Sequence, residues 1–324
     1  MDEGDPVVEW LLASDPAIRW QARRDLLDAP ESEWSADRAL VETEGWGARL
    51  LALQDDDGQW AGGSFVPKGF DWSEFRSVGQ PWTATTFTVT SLRELGLDPS
   101  SPRARRMVED IGASSRWDHD GQPYWDGEVE ECINGRVVAD GAYFGADVSS
   151  VVDRLLGERQ PDGGWNCERS NGSTRSSFDT TVNVVEGLFE LERAGGGSED
   201  TRRAREAGEE YLLERHLFRR LSTGEPADAG YLLLTHPNRW RYDVLRALDH
   251  FRAVGVATGA APDPRLGDAV EVVRSKRGSD GRWVLDRDLR GRRWFDMDEG
   301  EGRPSLWLTL RALRVLRWWD GGPA

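Results

Sequence analysis

Two acidic stretches of this chain have the residue types and spacing to move protons or hold cations. In Ser176-Ser177-Phe178-Asp179-Thr180-Thr181 a carboxyl sits at the predicted start of a helix. A carboxylic acid there can serve as the helix N-cap. In a dry pocket with a hydrogen-bonded neighbour to tune it, it can instead donate a proton to a substrate. Phe295-Asp296-Met297-Asp298-Glu299 places Asp296 and Asp298 just before the last predicted helix. Such a run reads as a solvated loop, as a Mg²⁺ site for a diphosphate substrate, or as a second acid site. The two cysteines, Cys132 and Cys167, are too few for a disulfide framework. They are either small buried groups or, joined by carboxylates, metal ligands. Arg239, Arg241 and Arg303 fall near predicted helix starts, where they can meet a diphosphate or pair with carboxylates. No Ser/His/Asp triad spacing and no Gly-rich phosphate loop is present.

The elements that must position these residues follow from a recurring corner. Gln160-Pro161-Asp162-Gly163-Gly164-Trp165 has counterparts in Gln54-Asp55-Asp56-Asp57-Gly58-Gln59-Trp60 and Ser279-Asp280-Gly281-Arg282-Trp283. A worn copy is read at Asp120-Gly121-Gln122-Pro123-Tyr124-Trp125. Asp-Gly supplies a tight, left-handed-permissive turn, and the Trp after it is a large apolar plug. Recurrence over several dozen residues marks a repeated supersecondary unit.

Between the corners the pattern is helical. Asp5-Pro6 and Asp15-Pro16 open two capped helices, and a third is predicted from about Ser35 through Leu53. The Gly-rich, aromatic segment 62–80 is long for a connection. After it, Pro81 to Leu92 reads as a Thr-rich helix ending on a Gly C-cap, in spite of its β-branched run. Helix starts are predicted near Ser101, Cys132, Asp147, Asp179, Glu199, Tyr242, Pro264 and Ser305, the last ending at Trp318-Trp319. The fold class is all-α, in one domain, with residues 1–45 as an N-terminal cap and 46–319 as the repeats.

Composition bounds the partners. The 324 residues carry a net charge of −17 and 16 Trp. No basic face is large enough for nucleic acid. Lys68 and Lys276 are the only lysines, so the surface is acidic and Arg-paired, as high salt or a GC-rich genome would favour. The acidic N-terminus leads into no long apolar run. The sequence therefore predicts no signal peptide, no transmembrane segment and a cytoplasmic protein.

Gln-x-x-Asp-Gly-x-Trp at the end of one helix, then a loop and a Thr-rich helix start, resembles the QW repeat of squalene–hopene cyclase and its relatives. It is also similar to the repeat of protein prenyltransferase β subunits. The resemblance covers roughly Trp46 to Trp319. It implies an α/α toroid, two concentric rings of helices with the N-termini of the inner ring facing a central cavity. Phe178, and Trp82, Trp240, Trp294 and Trp307 near inner-helix starts, are then the residues expected to line that cavity; the corner tryptophans are expected to be structural.

The same resemblance implies two chemistries. Type II terpene cyclases carry an Asp-x-Asp-Asp-Thr or Asp-x-Asp-Thr-Thr motif whose middle Asp protonates an alkene or epoxide. Laid on this chain, the middle Asp is Asp179, Thr180 and Thr181 are kept, and Ser177 replaces the first Asp. Asp296 and Asp298 are then a displaced acid motif. Protein prenyltransferases instead hold Zn²⁺ with Asp-x-Cys and a His. Glu130-Glu131-Cys132 matches the first part, and Asp179 stands where the His would be. Cys167 and His236 are other available ligands. The expected function is a terpene (squalene or polyprenyl) cyclase-like protein that folds a hydrophobic isoprenoid and starts its cyclisation by protonation. The alternatives are a non-catalytic isoprenoid- or protein-binding toroid, and a zinc-dependent prenyltransferase-like protein. The implied cofactor is none or a divalent metal, Mg²⁺ or Zn²⁺.

Overall fold

A computed structural model describes residues 1–321. Among them the regular structure is helical, and β-structure is confined to isolated bridges such as Trp60 with Gly63 and Val284 with Pro304. The all-α expectation stands. In chain order the α-helices are α1 (Pro6–Leu12), α2 (Pro16–Leu26), α3 (Glu31–Ala39), α4 (Gly45–Leu51), α5 (Phe75–Val78), α6 (Thr85–Leu95) and α7 (Pro102–Ser114). They continue with α8 (Glu131–Phe144), α9 (Ser149–Gly157), α10 (Phe178–Arg193), α11 (Glu199–Leu213), α12 (Val244–Thr258), α13 (Gly267–Ser275) and α14 (Leu306–Trp319). No described helix is long and apolar enough to cross a membrane.

Local chemistry accounts for the boundaries. Asp5 and Asp15 accept the N–H of Val7 and Ala17 and cap α1 and α2, each with Pro in the first turn. Gly96, at φ +91°, closes α6 in the left-handed region. The helix expected from Ser35 to Leu53 is broken into α3, a 3₁₀ turn at Leu40–Glu42, and α4. The break falls at Gly45, whose φ is +64°; a Cβ there would lie 2.1 Å from Asp15 Oδ2. The Asp15 carboxylate accepts the Trp46 N–H at 2.8 Å and so caps one helix while pinning the start of another.

The three clear corners are built alike. Trp60, Trp165 and Trp283 are each 0 % exposed. Each indole N–H donates to a carbonyl ten residues upstream in the preceding helix, to Leu50 at 2.8 Å, Leu155 at 2.7 Å and Val273 at 2.7 Å. Each backbone N–H donates to a Thr hydroxyl in the first turns of a following helix, Thr85, Thr181 or Thr309, at 3.0–3.1 Å. Gly58, Gly163 and Gly281 have positive φ at the turn, as the Asp-Gly signal requires. One Trp therefore ties two helices through its ring and its main chain together. The worn copy departs from this: Trp117 stacks on Tyr124 at 4.9 Å and donates to the Tyr124 carbonyl, while Trp125 donates to Val108 of α7. A further corner, bridged between Arg219 and Pro226 with Phe218 buried beneath it, has neither Asp-Gly nor Trp.

The chain divides into two compact units. One contains Gly47–Tyr211 and Arg290–Phe295; the other contains Met1–Trp46, Leu212–Leu289 and the chain from Asp296 on. In the first, α8 is buried on nearly all sides and α10 lies close against it. The approach is set by glycines: a Cβ on Gly187 would sit 2.3 Å from the Gly135 carbonyl oxygen. A buried polar network links α8 to α6, with Asp140 accepting from Thr90 at 2.6 Å and from Arg93 at 2.7 Å. In the second unit, α14 packs against both α12 and α2. Arg314 of α14 bridges Asp249 of α12 and Asp25 of α2. Burial alone would raise the pKa of Asp25; the guanidinium groups of Arg24, Arg252 and Arg314 outweigh it and hold the carboxyl well below its usual range.

Candidate active site

The start of α14 carries the most perturbed carboxyl of the predicted set. Ser305 is the N-cap, accepting the Leu308 N–H at 3.1 Å. Its own hydroxyl donates to Asp298 Oδ2 at 2.8 Å, and the Leu306 N–H donates to Asp298 Oδ1 at 3.2 Å. Burial pushes the Asp298 pKa up to about 6. The two hydrogen bonds and the charge of Arg311 pull it back part of the way, and the nearby Asp288 adds to the rise. Asp296 is exposed, so the two aspartates of this stretch sit in different environments.

Aromatic and cationic groups surround the same helix end. Trp307 is 1 % exposed and lies between two rings, with His236 stacked at 4.8 Å and Trp46 at 6.3 Å. Its indole N–H has no hydrogen-bond partner among the described residues. Arg311, one turn on, lies 5.8 Å from the Trp307 ring centroid and donates to Asn238 at 2.8 Å. Asn238 in turn donates to Asp243 at 2.6 Å, the N-cap of α12. Burial raises the pKa of Asp243 as well, against hydrogen bonds from Arg246, Thr235 and Asn238. A carboxyl that exchanges protons near neutrality, a buried indole donor and a guanidinium thus converge on the N-terminal ends of α12 and α14. Trp240, also expected to line a cavity, is half-buried beneath the Arg241 guanidinium at 4.6 Å.

The starts of α8 and α10 form a second cluster. Ligand atoms of Glu130, Cys132 and Cys167 lie within 4.8 Å of one another. The Cys132 thiol donates to Glu130 Oε2 at 3.6 Å. The Cys167 sulfur accepts the Cys132 N–H and the Thr180 hydroxyl, both at 3.3 Å. The hydrogen bond with Cys167, then burial, and then the Glu130 charge push the Cys132 thiol well above its ordinary pKa. Burial and Glu128 raise the Glu130 carboxyl. Two thiols and a carboxylate suit a soft divalent ion such as Zn²⁺ and leave a fourth position for substrate or water.

Asp179 is not a member of that cluster; it stands half-buried in the first turn of α10, where its carbonyl accepts from Asn183. Nor is it the N-cap, since Ser177 takes that place by accepting the Thr180 N–H. Thr180 bonds to Ser177 and Cys167, and Thr181 holds Trp165. Phe178 is buried edge-on to Tyr211. Trp82 is buried, edge-on to Phe87, and donates to Arg290 O at 2.9 Å. Trp294 is half-buried and donates to Thr88 at 3.4 Å.

No family model matches the chain, and no curated protein matches it. Among solved structures, the crystal structure of a protein from Actinoplanes is similar at 18 % identity, covering 95 % of this chain and 90 % of that one with a TM-score of 0.45.

Proposed function

We propose that this chain is a terpenoid-cyclase-like protein, an α/α toroid that takes an isoprenoid and begins its cyclisation by proton transfer from Asp298. Support for the toroid comes from three corners with one hydrogen-bonding scheme and from the last helix, α14, packing on α2 near the start of the chain. The observation that carries the chemical reading is the Asp298 carboxyl held by the Ser305 hydroxyl and the Leu306 N–H at the N-terminus of α14, where burial pushes its pKa up to about 6. A general acid works best when its pKa lies near the operating pH. That value suits protonation of an oxygen, such as an epoxide, better than an isolated double bond, which needs a stronger acid. As the proton leaves, the new carboxylate is stabilised by the Ser305 hydroxyl, the Leu306 N–H and the positive end of the helix.

The test is incubation with farnesyl-, geranylgeranyl- and squalene-type substrates and their epoxides. Wild type is compared with Asp298→Asn and Asp179→Asn. Loss of cyclised product by ~10²-fold or more in Asp298→Asn, with Asp179→Asn active, is the expected result. Undiminished product from Asp298→Asn overturns the assignment.

A second reading, a zinc-dependent prenyltransferase-like protein, draws on the Glu130, Cys132 and Cys167 cluster. Zn²⁺ held there would activate a substrate thiol at the open position. Less than about a tenth of an equivalent of zinc on protein refolded with excess metal would rule it out.

A further inference from the structure

The two cysteines are 35 residues apart in sequence, and their sulfur atoms lie within 4.8 Å of each other. They are unequal. Cys132 is 7 % exposed and Cys167 is half-buried. The Cys167 sulfur is the more accessible of the two and is held by two donors, the Cys132 N–H in the first turn of α8 and the Thr180 hydroxyl in the first turn of α10. These two contacts fix the Cys167 sulfur beside that of Cys132 and leave it the more exposed of the two. The Cys132 thiol points its proton at Glu130 Oε2, a ready acceptor.

We propose that Cys167 and Cys132 are a peroxide-reactive pair, with Cys167 attacking and Cys132 resolving. In the first step the Cys167 sulfur attacks a hydroperoxide. A sulfur–oxygen bond forms, the oxygen–oxygen bond breaks, and the leaving oxygen departs as an alcohol or water after taking up a proton. In the second, the Cys132 sulfur gives its proton to Glu130 and attacks the Cys167 sulfenic acid. A sulfur–sulfur bond forms and water leaves with the proton. Two thiols lose two electrons, and the hydroperoxide is reduced by the same two. The cross-link would tie the segment that runs from Trp165 to α10 onto the start of α8. This inference does not rest on the cyclase reading, and it requires the sulfurs to be free of metal.

The experiment uses the full chain stripped of metal with a chelator, treated with hydrogen peroxide, then denatured and alkylated for peptide mass analysis. The expected result is an intrachain Cys132–Cys167 cross-linked peptide with neither thiol alkylated, reversed by dithiothreitol. Cys132→Ser should stop at a Cys167 sulfenic acid that dimedone traps, and Cys167→Ser should give no dimedone adduct. Circular dichroism checks that both variants fold, and the wild-type cross-link stands without them. Full alkylation of both thiols after peroxide, sulfinic or sulfonic acid without the cross-link, or bonds only between chains would each overturn the proposal.

Discussion

Ser305 serves two partners at once: its oxygen accepts the Leu308 N–H at 3.1 Å, and its hydroxyl donates to Asp298 at 2.8 Å. Helix capping and acid tuning therefore share one side chain. Ser305→Ala removes a donor that favours the charged form, so the Asp298 pKa should rise above its value of about 6. The same change should cost about 1 kcal/mol of stability through the lost cap. Carboxyl NMR titration and urea unfolding read the two effects separately.

The raised pKa of Asp298 has a signed consequence for stability. Between the unfolded value near 3.8 and the folded value of about 6, the native state binds the extra proton. The group's contribution is therefore present at low pH and is lost as pH rises through about 6. The loss is at most about 3 kcal/mol, less the screening due to a half-buried site. Asp298→Asn should be more stable than wild type at pH 8, by about 1–2 kcal/mol, and should lose that advantage at acid pH. Equal stability of the two proteins across the range would contradict the burial of this carboxyl.

Asp25 shows the opposite sign. Its pKa is depressed by Arg24, Arg252 and Arg314, so its stabilisation is present above the usual carboxylate range and fades as pH falls below it. Asp25→Asn strands buried guanidinium charge between α2 and α14 and should cost ~3–5 kcal/mol at neutral pH. Denaturant unfolding of the variant at pH 7 checks this; a loss under about 1 kcal/mol would mean the ion pairs are screened by solvent.

The corner motif predicts one effect three times. Trp60→Phe, Trp165→Phe and Trp283→Phe each remove a buried indole donor and leave a helix carbonyl unpaired. Each should cost about 1–3 kcal/mol, and the three should be alike. Trp125→Phe loses a longer bond to Val108, at 3.2 Å, and should cost less. Thermal unfolding of the four variants ranks them.

At the α8–α10 contact, Gly187→Ala drives a methyl into the Gly135 carbonyl. The backbones must part, at a cost of about 1–3 kcal/mol or more. Gly157→Ala, in α9 with open space around it, should be neutral or slightly stabilising. Similar losses from both would mean the close approach is not what fixes the packing.

Much of this was legible in the sequence because it is local. Asp-Gly-x-Trp names its own turn, and Asp-Pro names its own helix start. The pairing of Glu130 with Cys132 follows from their separation by two residues at the head of α8. What arrives from elsewhere in the chain was not legible. Cys167 reaches Cys132 only because a short 3₁₀ turn at Cys167–Arg169 and the path to α10 carry it there. The His236 ring meets Trp307 across some seventy positions with no periodic signal to announce it. The Arg219–Pro226 bridge closes a turn that has neither Asp-Gly nor Trp, so pattern alone passes over it. Asp298 was visible as one of two similar aspartates; burial and Ser305 separate it from Asp296, and neither is encoded in the motif.

The pH dependence of cyclisation tests the central claim most directly. With an epoxide-bearing isoprenoid, turnover by the wild-type chain should fall tenfold per pH unit above a midpoint near the Asp298 pKa of about 6, and Asp298→Asn should show no such limb. A wild-type rate that stays flat from acid to alkaline pH, or no cyclised product from any substrate of this class, would contradict it.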